Sequence, residues 1–149
     1  MTVDGKSLTG ELGASRLAVL DALRRLPEDA WAPGQWVARG VVAHLAAWDE
    51  ISTVFLNAAA AGAPTPPLVP DDDAFNAQAV AEAESLSAVQ VVLRFHAARA
   101  ALVAAVSGLD ADMSVAVPWG GHGTVREVVL GLVSHERYHV GELATGGES

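Results

Sequence analysis

The sequence predicts an all-α fold, a four-helix bundle with a short extra helix between its second and third long helices. Three observations lead there. Four long stretches carry apolar residues at three-to-four spacing, the period of a helix face packed on a core. Alternation of the strand type is hard to find. Two of the four stretches open with a capping box, a helix-start signal in which two side chains satisfy each other's free backbone N–H groups.

The first helix is expected from about Ser7 to Leu26, with Leu8, Leu12, Ser15, Val19, Ala22 and Leu26 on one face. Pro27 stops it, because the residue before a proline is pushed out of the helical region. The run PEDAWAPGQW is a turn-rich connection. The second helix spans about Val37 to Ala60, with Val41, His44, Leu45, Trp48, Ser52 and Phe55 on one face, and Gly62 ends it. After the extended PTPP, the run DDDAFNAQAVAEAE is a short helix capped by Asp72 or Asp73. The third long helix opens with Ser87-x-x-Gln90, continues through Val91, Phe95, Ala98, Leu102 and Val106, and closes at Gly108. DADMSVAVPWGGHG is a connection. The fourth opens with Thr124-x-x-Glu127 and runs to about Leu143, leaving ATGGES as a frayed tail.

Composition excludes several classes. A chain of 149 residues is one ordinary domain, 1–149, and 51% hydrophobic content excludes disorder. No cysteine means no disulfide, thiolate nucleophile or thiolate metal ligand. The net charge is −9, Lys6 is the one lysine, and the arginines are scattered, so no clustered cationic surface for nucleic acid is expected. Composition does not decide between cytoplasm and export. The N-terminus MTVDGKSLTGEL holds no apolar signal core, and a cytoplasmic location is expected. No stretch is expected to span a membrane, the best one, Ile51 to Pro70, carrying Asn57 and four prolines.

The chemistry rests on the histidines. His135 and His139 are four apart on one helix and so share a face. His44 sits on the apolar face of the second helix. Bundles build metal sites from side chains on facing helices, so these three could make a three-histidine site open on one side. Each also has a plainer reading as a satisfied core histidine. His96 is expected to reach solvent. His122, in a glycine-rich loop, is expected at the surface, with a pocket mouth as its alternative.

HERYH also fits H-E-x-x-H, the metalloprotease signature. Against that reading, only residues 140–149 follow His139, the position of a metzincin third histidine is Thr145, and no strand is expected to hold a peptide. Glu136 then reads as a helix-surface charge beside Arg137. Trp31, Trp36, Trp48 and Trp119 read first as core volume. Trp48, one turn after His44, would lie beside any metal there. Asn76 reads as a local cap in preference to a pocket residue.

Trp31, PGQW leading into HLAAWDE, DAFNAQ, LSAVQVVLRF and HERYHVGEL together resemble the DinB-like superfamily. Within it, they are most similar to the N-terminal domain of mycothiol-dependent maleylpyruvate isomerase. The similarity extends from about residue 7 to 143. It implies up-down-down-up connectivity, often a homodimer. It also implies a divalent metal, zinc or nickel, held by His44, His135 and His139, and chemistry using low-molecular-weight thiols such as mycothiol or bacillithiol. Two departures stand out. The isomerase branch has a second domain beyond the length of this chain, so maleylpyruvate activity is not expected. Val37 stands where relatives start the second helix with a polar cap.

The leading expectation is therefore a metal-dependent transferase or isomerase acting on a small molecule. His44, His135 and His139 would be ligands, Glu136, Asp49 and Asn76 candidates for proton transfer or ligand support, and Trp48 and Trp119 pocket walls. Arg94, Arg99 and Arg137 are the candidates for holding a thiol's carboxylates. The alternatives are a non-catalytic binding or sequestration protein, and a dimeric bundle with a dispensable metal. Neither nucleic acid nor membrane is an expected partner.

Overall fold

The computed structural model describes residues 5–69 and 71–145, and side chains from residue 8 onward. It is mostly helical. Four long helices, α1 (Gly5–Arg24), α2 (Val41–Ala61), α4 (Ala88–Ser107) and α5 (Val125–Ala144), accompany a shorter one, α3 (Asp72–Ala83). α2 packs chiefly along α4 and α1 along α5, while α1 also meets α4 and α2 also meets α5.

The periodic faces go inside. Leu8, Leu12, Ser15, Val19 and Ala22 of α1 are all buried. Two apolar clusters form. One joins Leu8 and Leu12 to Leu56, Leu102, Val106, Val125 and Val129. The other joins Val19 and Leu23 to Val41, Val42, Val91, Phe95 and Leu143. Between the two clusters, α1, α4 and α5 bury the charged residues Arg16, Arg99 and Glu136, together with Ser15 and His139.

Local signals explain most boundaries. Ser87 and Gln90 make both bonds of a capping box. Thr124 caps α5 by accepting from the Glu127 N–H, but the Glu127 carboxylate meets the Thr124 hydroxyl at 3.4 Å instead of returning to the backbone. Gly62 ends α2 in the left-handed region, at φ 64°. Such a conformation costs glycine little and other residues more.

Four expectations are corrected. The cap of α3 is Asp71, whose carboxylate accepts from the N–H groups of Asp73 and Ala74. α2 starts at Val41, not Val37. The preceding residues Trp36–Gly40 form a kinked turn with Ala38 at φ 74° and ψ −78°, so position 37 is not the site of a helix cap. The connection after α4 holds two short strands, β1 (Ser114–Ala116) and β2 (His122–Thr124), paired antiparallel. They are too short for alternation to announce them. Finally, α4 rather than the 51–70 stretch is long and apolar enough to cross a membrane by composition alone. One face of α4 carries Val91, Phe95, Arg99 and Leu102, all buried within the fold. The tail expected to fray, from residue 146, lies outside the described residues.

Candidate metal centre

His44 comes from α2, and His135 and His139 come from successive turns of α5. The Nε2 atoms of His44 and His135 are 2.9 Å apart, those of His44 and His139 3.1 Å, and those of His135 and His139 3.1 Å. The rings meet edge to face around this point. His44 and His139 are buried and His135 is half-buried.

The donor chemistry fits a shared cation. His139 Nδ1 lies 2.8 Å from the Glu142 carboxylate, which selects the tautomer whose Nδ1 N–H donates to it and whose Nε2 carries the lone pair a metal needs. Three neutral imidazoles converging on one point cannot all satisfy one another, because each Nε2 is either an N–H or a lone pair. A divalent ion takes all three lone pairs at once, with ligand distances of about 2.0–2.1 Å for zinc. Protons do not compete strongly for two of the rings. Burial, and then the neighbouring His135 and His139, push the His44 pKa down to about 3. Burial and His139 push His135 down to about 4, against the opposing pull of Glu136 and Asp72. Both rings are neutral at ordinary pH, the form a metal requires.

Beside the tripod lies a cavity of about 370 Å³ lined by His44, His135, Trp48, Trp119, Asn76, Asp72, Gly131 and Leu132. Trp119 reaches it from the loop between β1 and β2 and rests on Gly131, where an added Cβ would lie 3.6 Å from the indole. Trp48 Nε1 donates to Asn76 Oδ1 at 2.8 Å, which fixes the amide at the cavity wall. Asn76 is thus a cavity residue and not the local cap expected of it.

On another side stands Trp36, its ring 5.7 Å from His44 and 6.0 Å from His139. The kinked turn before α2 delivers it there. Gly40 is required for this approach, since a Cβ at that position would come within 2.7 Å of the Trp36 ring. Sequence reasoning missed Trp36, which read as core volume, and Glu142, one turn beyond His139. The i, i+3 spacing of His139 and Glu142 was the signal that could have found the latter.

A family model described as Mycothiol-S-transferase matches residues 7–145. The chain belongs to this family. The family lies in the DinB-like superfamily, and the resemblance read from the sequence stands. No curated protein and no solved structure matches the chain.

Two other candidates are placed away from the tripod's open side. Glu136 is not the surface charge expected: it is 2% exposed, turned into the core, and bonded by Ser15 at 2.7 Å and Arg16 at 3.0 Å. On α5 it lies one residue past His135, about 100° round the helix, so it faces α1 when the histidines face α2. Asp49 is likewise buried, held by Arg16 at 3.0 Å and Arg99 at 2.9 Å. Neither carboxylate lines the cavity, so neither is placed to move a proton there. Arg99 is committed to Asp49, Arg94 to Glu50, and Arg137 lies at the surface near Glu11. None of the three lines the cavity. His96 and His122 are both exposed and away from the tripod.

Proposed function

We propose that this protein is a metal-dependent S-transferase in which His44, His135 and His139 hold a zinc or nickel ion beside the cavity that receives the thiol and its electrophilic partner. The observation that carries the reading is the convergence of three Nε2 atoms, within 2.9–3.1 Å of one another, at the wall of that cavity. Imidazole ligands suit borderline transition metals, whereas calcium and magnesium prefer oxygen. Such an ion, when bound, lowers the pKa of a coordinated thiol and so supplies a thiolate nucleophile at neutral pH.

The chain's own residues do the rest. Glu142 orients His139 through its Nδ1 N–H. Trp48, Trp119 and Leu132 supply apolar walls, and Asn76, anchored by Trp48, presents an amide to whatever enters. The sulfur would attack the electrophilic carbon of the second substrate as the bond from that carbon to its leaving group breaks, the electron pair departing with the leaving group and the thiol proton going to solvent or to that group. Among the described residues, the lining includes Asp72 and no arginine or lysine. That favours a thiol without carboxylates, such as mycothiol, over the malate-bearing bacillithiol.

The same reading includes the finer architecture. The N-terminal halves of α1 and α5 share one apolar cluster with the C-terminal halves of α2 and α4, which supports an up-down-down-up four-helix bundle forming a single domain over 1–149. A homodimer and a cytoplasmic location belong to it as well. Exposed Leu17, Val89 and Leu93 offer apolar surface for self-association. Sedimentation at micromolar concentration checks the dimer, and a monomer there removes that part.

Untagged, metal-loaded protein incubated with mycothiol and a panel of epoxides, alkyl halides and activated aryl halides should give thioether products, and His44→Ala should abolish them. The tryptophan-walled cavity also suits a binding protein that sequesters a small molecule without turning it over. Tight binding of the electrophiles, unaffected by metal removal and with no thioether formed, would establish that second reading.

A further inference from the structure

In the middle of the fold lies a charged layer that the proposed chemistry does not use. Arg16 of α1, Asp49 of α2, Arg99 of α4 and Glu136 of α5 are all buried and supply one residue from each long helix. The layer is closed and neutral. Asp49 accepts from Arg16 Nη2 at 3.0 Å and from Arg99 at 2.9 Å and 3.2 Å. Glu136 meets Arg16 at 3.0 Å, Arg99 at 2.8 Å and the Ser15 hydroxyl at 2.7 Å. The spare guanidinium N–H groups go to backbone carbonyls, Arg16 to Phe95 at 3.3 Å and Arg99 to Leu12 at 2.9 Å. The Arg16 guanidinium also stacks on the Phe95 ring, 3.6 Å from its centroid.

Apolar surfaces on either side of this layer are rich in alanine, valine and leucine. Such surfaces tolerate small slides and rotations of a helix with little change in buried area. A buried charged layer does not, because a displaced helix leaves a guanidinium or carboxylate without a partner. The register-setting use of buried polar groups is well attested in coiled coils. Here the layer includes Glu136, which directly follows His135 on α5. Rotating α5 enough to free Glu136 would also swing His135 and His139 away from His44.

We propose that the Arg16–Asp49–Arg99–Glu136 layer is the device that sets the rotation and height of α5 against α2, with Glu136 and Asp49 acting as positioning residues for the three-histidine centre. The glutamate of HERYH thus holds the histidines in place from behind and takes no part in bond making. The inference rests on the metal reading above.

The test uses untagged full-length protein titrated with Co²⁺, read by dissociation constant and by the d–d absorption band, well below each variant's melting midpoint. Arg16→Met/Glu136→Leu removes one cation and one anion together and leaves Arg99 paired with Asp49. Ser15→Ala is the milder probe, freeing only one Glu136 oxygen, and decides the matter if the double variant does not fold. Folded double variant should bind Co²⁺ about 10–100-fold more weakly, the range seen when groups supporting metal ligands are removed. Its d–d band should change shape, and Ser15→Ala should move both readouts less and in the same direction. A layer that only adds stability leaves both readouts of the folded protein at the wild-type values, and that result overturns the proposal. Should wild-type protein take no Co²⁺, the metal reading fails first. The positioning claim is then read from the ¹⁵N shifts of the histidine rings in metal-free protein. They should change in both variants, and unchanged shifts overturn it.

Discussion

Replacing Asp49 by asparagine is the sharpest stability test of the buried layer. The carboxylate accepts three bonds from Arg16 and Arg99. Its pKa is raised, because burial outweighs the opposing pull of Arg99 and Arg16, so the pairing offsets only part of the cost of burying the charge. Asparagine keeps one acceptor oxygen, turns an NH₂ toward a guanidinium, and leaves two buried cations sharing Glu136 alone. Breaking a buried pair from one side costs about 3–5 kcal/mol. For a chain of this size each kcal/mol moves the melting midpoint by about 2–4 °C, so a fall of roughly 6–20 °C is expected. The internal control is Asp21→Asn. Asp21 pairs with Arg24 at 3.2 Å and Arg25 at 2.7 Å, but all three side chains are about half exposed or more. Exposed pairs contribute under about 1 kcal/mol. Thermal denaturation of metal-free protein followed by circular dichroism compares the two. Asp49→Asn melting within about 2 °C of Asp21→Asn, less than 1 kcal/mol apart, would refute the assignment of Asp49 to a tightly paired interior layer.

Three further outcomes follow from the geometry. The metal-free protein should lose stability on acidification. Unfolded histidines take up protons as pH falls through 6.5, whereas folded His135 and His44 do so only near 4 and 3. In that window the unfolded chain binds more protons, each shifted histidine removing about 1.4 kcal/mol per pH unit. Urea titrations from pH 7 downward check the sign, and stability rising as pH falls from 6.5 to 4 contradicts it. Glu142→Ala should weaken metal binding about 10–100-fold with little change in fold, since it frees His139 Nδ1; calorimetric titration with zinc reads this, and wild-type affinity removes the role. Thr124→Ala should cost about 0.5–2 kcal/mol by uncapping α5, measured by denaturant unfolding, and a cost near zero would show the cap to be idle.

The helices were legible because their signals are local. Apolar spacing marked the four long helices, the capping box marked Ser87, and Gly62 and Gly108 marked ends. The three histidines were legible for the same reason, since residues four apart on one helix must share a face and His44 lay on an apolar one. What escaped were features set by packing between helices. Nothing in the α1 pattern distinguishes Arg16 from a solvent-facing arginine, because its partners are 33 and 120 residues away. From sequence alone Glu136 reads as a surface charge for the same reason. Trp36 reaches the tripod through the positive φ of Ala38, a conformation alanine rarely takes and local propensity disfavours. β1 and β2 have three residues each, too few for a period of two to show.

On the reading proposed above, His44, His135 and His139 hold one divalent transition-metal ion. Metal titration of untagged, chelator-stripped protein, with elemental analysis after dialysis, tests it most directly. One equivalent of zinc or nickel per chain is expected, with a raised melting midpoint that chelator reverses and loss of that uptake in each of His44→Ala, His135→Ala and His139→Ala. Protein that retains no zinc or nickel, or that retains it equally in all three variants, contradicts the claim.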